Sequence, residues 1–324
     1  MNRRNLIAAA MLAALPLSAA SAQDYPERPI QMIVPWGAGG GTDAVARIMA
    51  SVMQEDLGVP INVVNRTGGS GVVGHSAIAT AAPDGYTLGL ATVEIAMLHW
   101  QGLTELTYED YDVLALVNED PAGLMVSSDS PFESVDALLE AVRSEPAGTY
   151  KASGTAQGGI WHIALAGWLL DEGIDPGQIT WVPSQGSAAA ITDMVAGGVD
   201  LVSSSLAEGT AMIDAGRLRA LATMSPERQD AMPDVPTLAE TVESSWTASA
   251  WRGIFAPKGL PEDVKARLTE AVKAAYDSSE YQDFMAGRGL GTIWVPGDEA
   301  DAFIGASDAG FGKVMTAAGL AGNG

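Results

Sequence analysis

Ile30 to Val34 is a short, almost wholly apolar run, and it stops at Pro35-Trp-Gly-Ala-Gly-Gly-Gly-Thr-Asp43 before an amphipathic stretch begins. Such a run reads as a strand covered on both faces, followed by a tight turn and a helix. Gly37, Gly39, Gly40 and Gly41 let the backbone approach a ligand closely, because no Cβ stands in the way. Thr42 or Asp43 is placed to cap the helix, whose start offers free N–H groups and the positive end of its dipole. With Trp36 and Ala38 in the same turn, this is an anion cradle without a basic side chain. No lysine follows the glycines as a P-loop requires, and Thr42 stands where a dinucleotide fingerprint needs glycine or alanine. A carboxylate or other small oxyanion fits better. The plain alternative for a single turn of this kind is a strand-to-helix connection with no ligand.

Residues 1–22 are set apart from the fold. Arg3 and Arg4 form a positive n-region, Leu6 to Leu17 an apolar h-region, and Ala20-Ser-Ala22 a small-residue cleavage site. The expectation is an exported, periplasmic protein cleaved after Ala22, by the general or the twin-arginine route. No other run is long and apolar enough for a membrane span. The remaining chain of about 300 residues is more than one core usually serves, so two domains are expected. The sequence holds no cysteine, which removes thiolate catalysis and leaves the fold to stand on burial alone. Its 17 basic and 40 acidic residues give a net charge of −23, a field that repels nucleic acid and anionic lipid. An anionic ligand must therefore be held by local N–H donors.

Apolar β-type runs alternate with helical ones, which predicts an α/β fold with mostly parallel strands. Strands are expected at 30–34, 61–64, 87–91, 113–117, 124–127, 150–153, 179–182, 201–203 and 218–222. Helices are expected at 43–56, 135–144, 160–171, 188–196, 261–278 and 299–317. The expected plan is a first domain of residues 23–127 and 247–324, a second domain of 128–246 inserted into it, and a ligand cleft between them.

The cradle pattern recurs. Ala152-Ser-Gly-Thr-Ala-Gln-Gly-Gly159 follows a strand and precedes a helix, bringing Ser153, Thr155, Gln157 and Gly158 to a second helix start. Ser184-Gln-Gly-Ser187 repeats it, with Gly186 at the turn and Ser187 as the expected N-cap. Three such turns over both domains make a cleft lined by N–H donors the economical account. His162 lies beside the second cradle, either donating to a ligand or serving at the core edge. His75, His99 and His162 have no metal-ligand spacing, and no Gly-x-Ser-x-Gly elbow is present, so neither a metal, a cofactor nor a catalytic residue is expected. Arg66, the one basic residue in a glycine-rich turn, is a candidate partner for a carboxylate or for a structural ion pair. Of the eight tryptophans, Trp36, Trp161, Trp181 and Trp251 fall near the proposed cleft, with packing as the bland role.

In their order, Tyr25-Pro-Glu-Arg-Pro-Ile30, the 35–43 turn, Asn65-Arg-Thr-Gly-Gly-Ser-Gly71 and Pro83-Asp-Gly-Tyr-Thr-Leu88 resemble the Bug-type, TctC-like receptors of tripartite tricarboxylate transporters. The likeness continues through Ser153-Gly154, His162, Gly186-Ser187, Asp193, the run Gly216 to Ala222, Pro233-Asp-Val-Pro-Thr237, Glu240 and Trp251. It implies a type II periplasmic binding fold that closes on a small carboxylate and performs no catalysis. The implied partners are the membrane permease subunits, and the expected state is a monomer. Ligand contacts are implied at the 35–43 turn, the 153–159 loop and Gly186-Ser187. Other classes consistent with the residues are an exported hydrolase of an anionic substrate and a sensor subunit of a signalling receptor.

Three positions depart from the family's pattern. Ser184 and Gln185 replace a usual tyrosine and lysine, and the strand ending at Ser205 lacks an acidic residue often found after it. Val93-Glu94 stands where small or polar residues are usual. Glu94 emerges from the strand 87–91 at the edge where the cleft is expected. It either points into solvent, the commoner fate of glutamate, or meets a positive group on a zwitterionic ligand, with Trp36 as a cation–π surface.

Overall fold

The computed structural model describes residues 25–322, so the export signal lies outside the described residues. Strand β1 (Ile30–Val34) leads through the glycine turn into α1 (Gly41–Leu57), then β2 (Ile61–Asn65), α2 (Val72–Ala79) and β3 (Thr87–Thr92). A long β4 (Tyr111–Ser127) follows, then α3 (Val135–Ser144), β5 (Tyr150–Ser153), α4 (Ile160–Asp171), β6 (Ile179–Trp181), α5 (Ser187–Val195) and β7 (Leu201–Ser205). The chain continues with α6 (Leu206–Asp214), β8 (Leu218–Thr223), α7 (Leu238–Val242), β9 (Ser249–Pro257), α8 (Glu262–Asp277), α9 (Ser279–Gly287) and α10 (Gly297–Ala317).

One mixed sheet runs in the order β2-β1-β3-β9-β4-β7-β5-β6, with β8 also paired to β4. Its flanks are parallel, as expected: β1 with β2 and β3, and β5 with β6 and β7. Its centre is antiparallel, because β9 pairs with β3 and β4, and β4 with β7 and β8. The expectation of mostly parallel strands holds only for the flanks.

The expected strands 113–117 and 124–127 are one 17-residue strand. Between them Asn118, Glu119 and Asp120 stay in the ladder, and each of these side chains has a partner: Arg252 for Asn118 and Asp120, Ser249 for Glu119. A paired polar residue does not end a strand. The first half of β4 thus lies against β9 among the chain-end elements, and its second half against β7 and β8.

Helix α1 buries Val45, Ile48, Met49 and Met53 on one stripe against Met32 and Leu268, and Gly58 closes it in the left-handed conformation. It begins two residues earlier than expected. Gly40 is its N-cap and supplies no side chain, so Thr42 and Asp43 sit inside the first turn. Helix α5 begins one residue earlier than expected, with Gly186 as the N-cap and Ser187 the first helical residue. At α8 the difference is the opposite: Pro261, expected inside the first turn, is the N-cap, and the helix begins one residue later. A cradle whose cap is glycine leaves its N–H groups to be met from across the cleft.

Candidate functional site

Three helix starts converge on one cavity. Trp36, Gly37, Gly40, Gly41 and Thr42 come from the α1 turn, Thr155, Ile160 and Trp161 from the α4 turn, and Gly186 and Ser187 from the α5 turn. Thr92, Glu94, Glu208, Ala250 and Arg252 complete the wall of a small cavity of about 30 Å³.

Two of the helix starts are already met by carboxylates of the chain itself. The Gly41 N–H donates to Glu208 Oε1 at 2.7 Å, and Glu208 Oε2 accepts from the Ser204 hydroxyl at 2.8 Å. The Ile160 N–H donates to Glu94 Oε1 at 3.2 Å. Each contact joins an element on one side of β4 to an element on the other. Gln101 adds a third bridge, donating through Nε2 to the Gly158 carbonyl at 3.2 Å. The conformation described here has its two halves in contact across the cleft.

Glu94 does not point into solvent: it is 2 % exposed and lines the cavity. Burial pushes its carboxyl above the usual range, and the Thr92 hydroxyl, the Ile160 N–H and Arg252 only partly offset that. Thr92 is the hub beside it. Its hydroxyl donates to Glu94 Oε2 and accepts from Trp36 Nε1 at 3.1 Å, while its N–H donates to His75 Nε2 at 3.2 Å.

Arg252, on β9, is the one cation in the wall and is 2 % exposed. Its Nε donates to Thr42 Oγ1 at 3.0 Å, Nη1 to Asn118 and Asp120, and Nη2 lies 3.8 Å from Glu208 Oε1. Burial works against its charge, but Asp120 and Glu208 outweigh burial and hold it firmly protonated. Thr155 is also buried, and its Oγ1 has no hydrogen-bond partner. That leaves the Thr155 hydroxyl with its capacity unspent.

Among the described residues no group of His, Asp and Glu could hold a metal. The tripartite tricarboxylate transporter family receptor, TctC, matches residues 45–320. The chain belongs to this receptor family. BugT of Bordetella pertussis is 33 % identical over 288 residues, 88 % of this chain and 87 % of BugT. Among solved structures, MatC from Rhodopseudomonas palustris with bound malate is 26 % identical, with a TM-score of 0.81 over 90 % of this chain and 100 % of MatC. An R. palustris protein with adipate is 26 % identical, with a TM-score of 0.85 over 92 % of this chain and 99 % of that one. The type II periplasmic binding fold expected from the motifs is the fold of the receptor, and its family is one of substrate-binding receptors, not of enzymes.

Ten of the residues singled out from sequence line the cavity: Trp36, Gly37, Gly40, Gly41, Thr42, Glu94, Thr155, Trp161, Gly186 and Ser187. The others sit apart from it. Ala38 and Gly39 are exposed on the outside of the turn. Asp43 is buried behind the turn, accepting from the Gly39 N–H, Arg47 and Asn65; these outweigh burial and keep it below the usual carboxylate range. Ser153 donates to the Val182 carbonyl, and with Gln157 it borders a separate surface hollow. The Gly158 N–H donates to His162 Nδ1 at 2.9 Å, and the His162 ring stacks on Trp181 at 4.6 Å. His162 is thus an acceptor that shapes the loop. Arg66 is exposed and forms none of the ion pairs among the described residues. Trp251 packs on Phe255 and Phe303 behind the cavity.

Arg252 and Glu208 were missed. Arg252 carried one signal, a lone basic residue inside the apolar run Ala250 to Pro257 of a chain poor in cations. Glu208 carried none: it is one glutamate among many, on a helix that no periodicity marked.

Proposed function

We propose that the receptor binds a small carboxylate reversibly in this cleft and hands it, unchanged, to the permease subunits of a tripartite transporter. The observation that carries this reading is the convergence of three helix starts on one cavity. Helix N-termini attract anions through free N–H groups and the dipole. The malate of MatC and the adipate of its R. palustris relative support the ligand class. The domain plan is 23–127 with 247–324, and 128–246 inserted, with β4 and β9 crossing between them. The first 22 residues direct export to the periplasm and are removed after Ala22. Among the described residues no helix is long and apolar enough to cross a membrane.

Ligand held from both sides gains its full contacts only when the halves meet, so binding shifts the population toward the closed form. Small-angle scattering should give a larger radius of gyration without ligand, falling with saturating ligand to the value calculated from the closed coordinates. An unchanged radius would count against closure.

A further inference from the structure

The three helix starts around the cavity are not equivalent. Glu208 occupies the start of α1 and Glu94 that of α4. All three starts are capped by glycine, and at α5, capped by Gly186, no carboxylate among the described residues takes the corresponding place. Thr155 lies against this third turn, its carbonyl accepting from the Ser184 N–H at 3.0 Å, and its buried hydroxyl has no hydrogen-bond partner. The cavity therefore keeps one open seat for an anion. Beside that seat stand two carboxylates, and the only guanidinium in the wall is already engaged by Asp120 and Asn118.

A dicarboxylate would have to place its second carboxylate against Glu94 or Glu208, or expel one of them from its N–H donor. Like charges in a water-poor site disfavour each other strongly. A nitrogen cation has the opposite preference. It would pair with Glu94, and Trp36, half-buried in the same wall, offers it an aromatic face.

We propose that the ligand is a zwitterion, an amino acid or betaine-like compound whose one carboxylate sits on the α5 start and Thr155 while its cationic nitrogen faces Glu94 and Glu208. This rests on the receptor reading above and narrows it to one charge pattern.

The test is titration calorimetry of the purified protein with matched pairs: succinate against 4-aminobutyrate, and adipate against 6-aminohexanoate, with glycine betaine added. Within the better-fitting pair, the amino compound or the betaine should bind at least tenfold more tightly than the dicarboxylate. Glu94→Gln should remove that preference, and Glu208→Gln should weaken it, each variant being checked by its melting temperature. If a dicarboxylate binds as tightly as its amino partner, or if the preference survives both substitutions, the zwitterion proposal is overturned while the receptor reading stands. If no compound of either class binds, both are overturned.

Discussion

Replacing Arg252 with glutamine should lower the free energy of unfolding by about 3–5 kcal/mol, the usual cost of breaking a buried charge pair from one side. Arg252 joins four elements at the point where the halves meet. It stands on β9 opposite Asn118 of β4, and it reaches Thr42 of α1 and Glu208 of α6. Without it, Asp120 keeps only the Gly291 N–H at 2.8 Å, and Glu208 keeps Gly41 and Ser204. Urea unfolding at pH 7 measures the loss. The double variant Arg252→Gln with Asp120→Asn should recover part of it, since the stranded charge is then gone. A loss under about 1 kcal/mol would mean that the cluster is solvated and does not join the halves.

Acid should weaken the fold through two histidines that accept backbone N–H groups. His75 takes the Thr92 N–H at Nε2 and faces the Gly71 carbonyl through Nδ1; His162 takes the Gly158 N–H at Nδ1. A protonated ring would turn each acceptor into a donor facing another donor. Burial lowers both to about 4 from an ordinary value of 6.5. The folded pKa is depressed, so as pH falls the unfolded chain takes protons first. The stabilisation is complete above pH 6.5 and is lost progressively toward pH 4. Between pH 7 and pH 5 each histidine should remove about 2 kcal/mol. Glu94 acts in the opposite sense, because its raised carboxyl lets the folded state gain protons first. The histidine share is therefore read as a difference. His162→Gln should flatten the loss between pH 7 and 5 by about 2 kcal/mol relative to the unsubstituted protein. An identical slope would show that His162 already titrates in the folded state as it does when unfolded.

The flanks of the fold were legible because their signals are local. The spans 135–144 and 160–171 were read to the residue, since Ser134 caps one helix and Gly159 precedes an uninterrupted apolar run in the other. The turns at Gly37 to Gly41 and at Gly186 announced helix starts through glycine alone. The centre of the sheet was not legible. Strand β9 is interrupted by Arg252 and Gly253, and β4 by Asn118 to Pro121, so neither shows a continuous strand pattern. Each makes sense only with the other present, because Arg252 satisfies the polar residues of β4 across the ladder. The site followed the same division. Backbone donors could be placed from turn chemistry, whereas the carboxylates that meet them come from 66 to 167 residues away in the chain. Gly39, Ala38 and Asp43 belong to the right turn but to its outer side, a distinction that depends on where the helix begins.

The central claim, that the three helix starts form one seat for a carboxylate that is bound and released intact, is tested most directly by calorimetry with the ligand recovered. A small carboxylate that binds the unsubstituted protein should saturate at one per chain and return chemically unchanged. Ser187→Trp, which fills the buried α5 start, should abolish the heat of binding, with the far-ultraviolet circular dichroism of the ligand-free variant showing that it is folded. Product in the recovered ligand, or binding undiminished in the filled variant, would contradict the account.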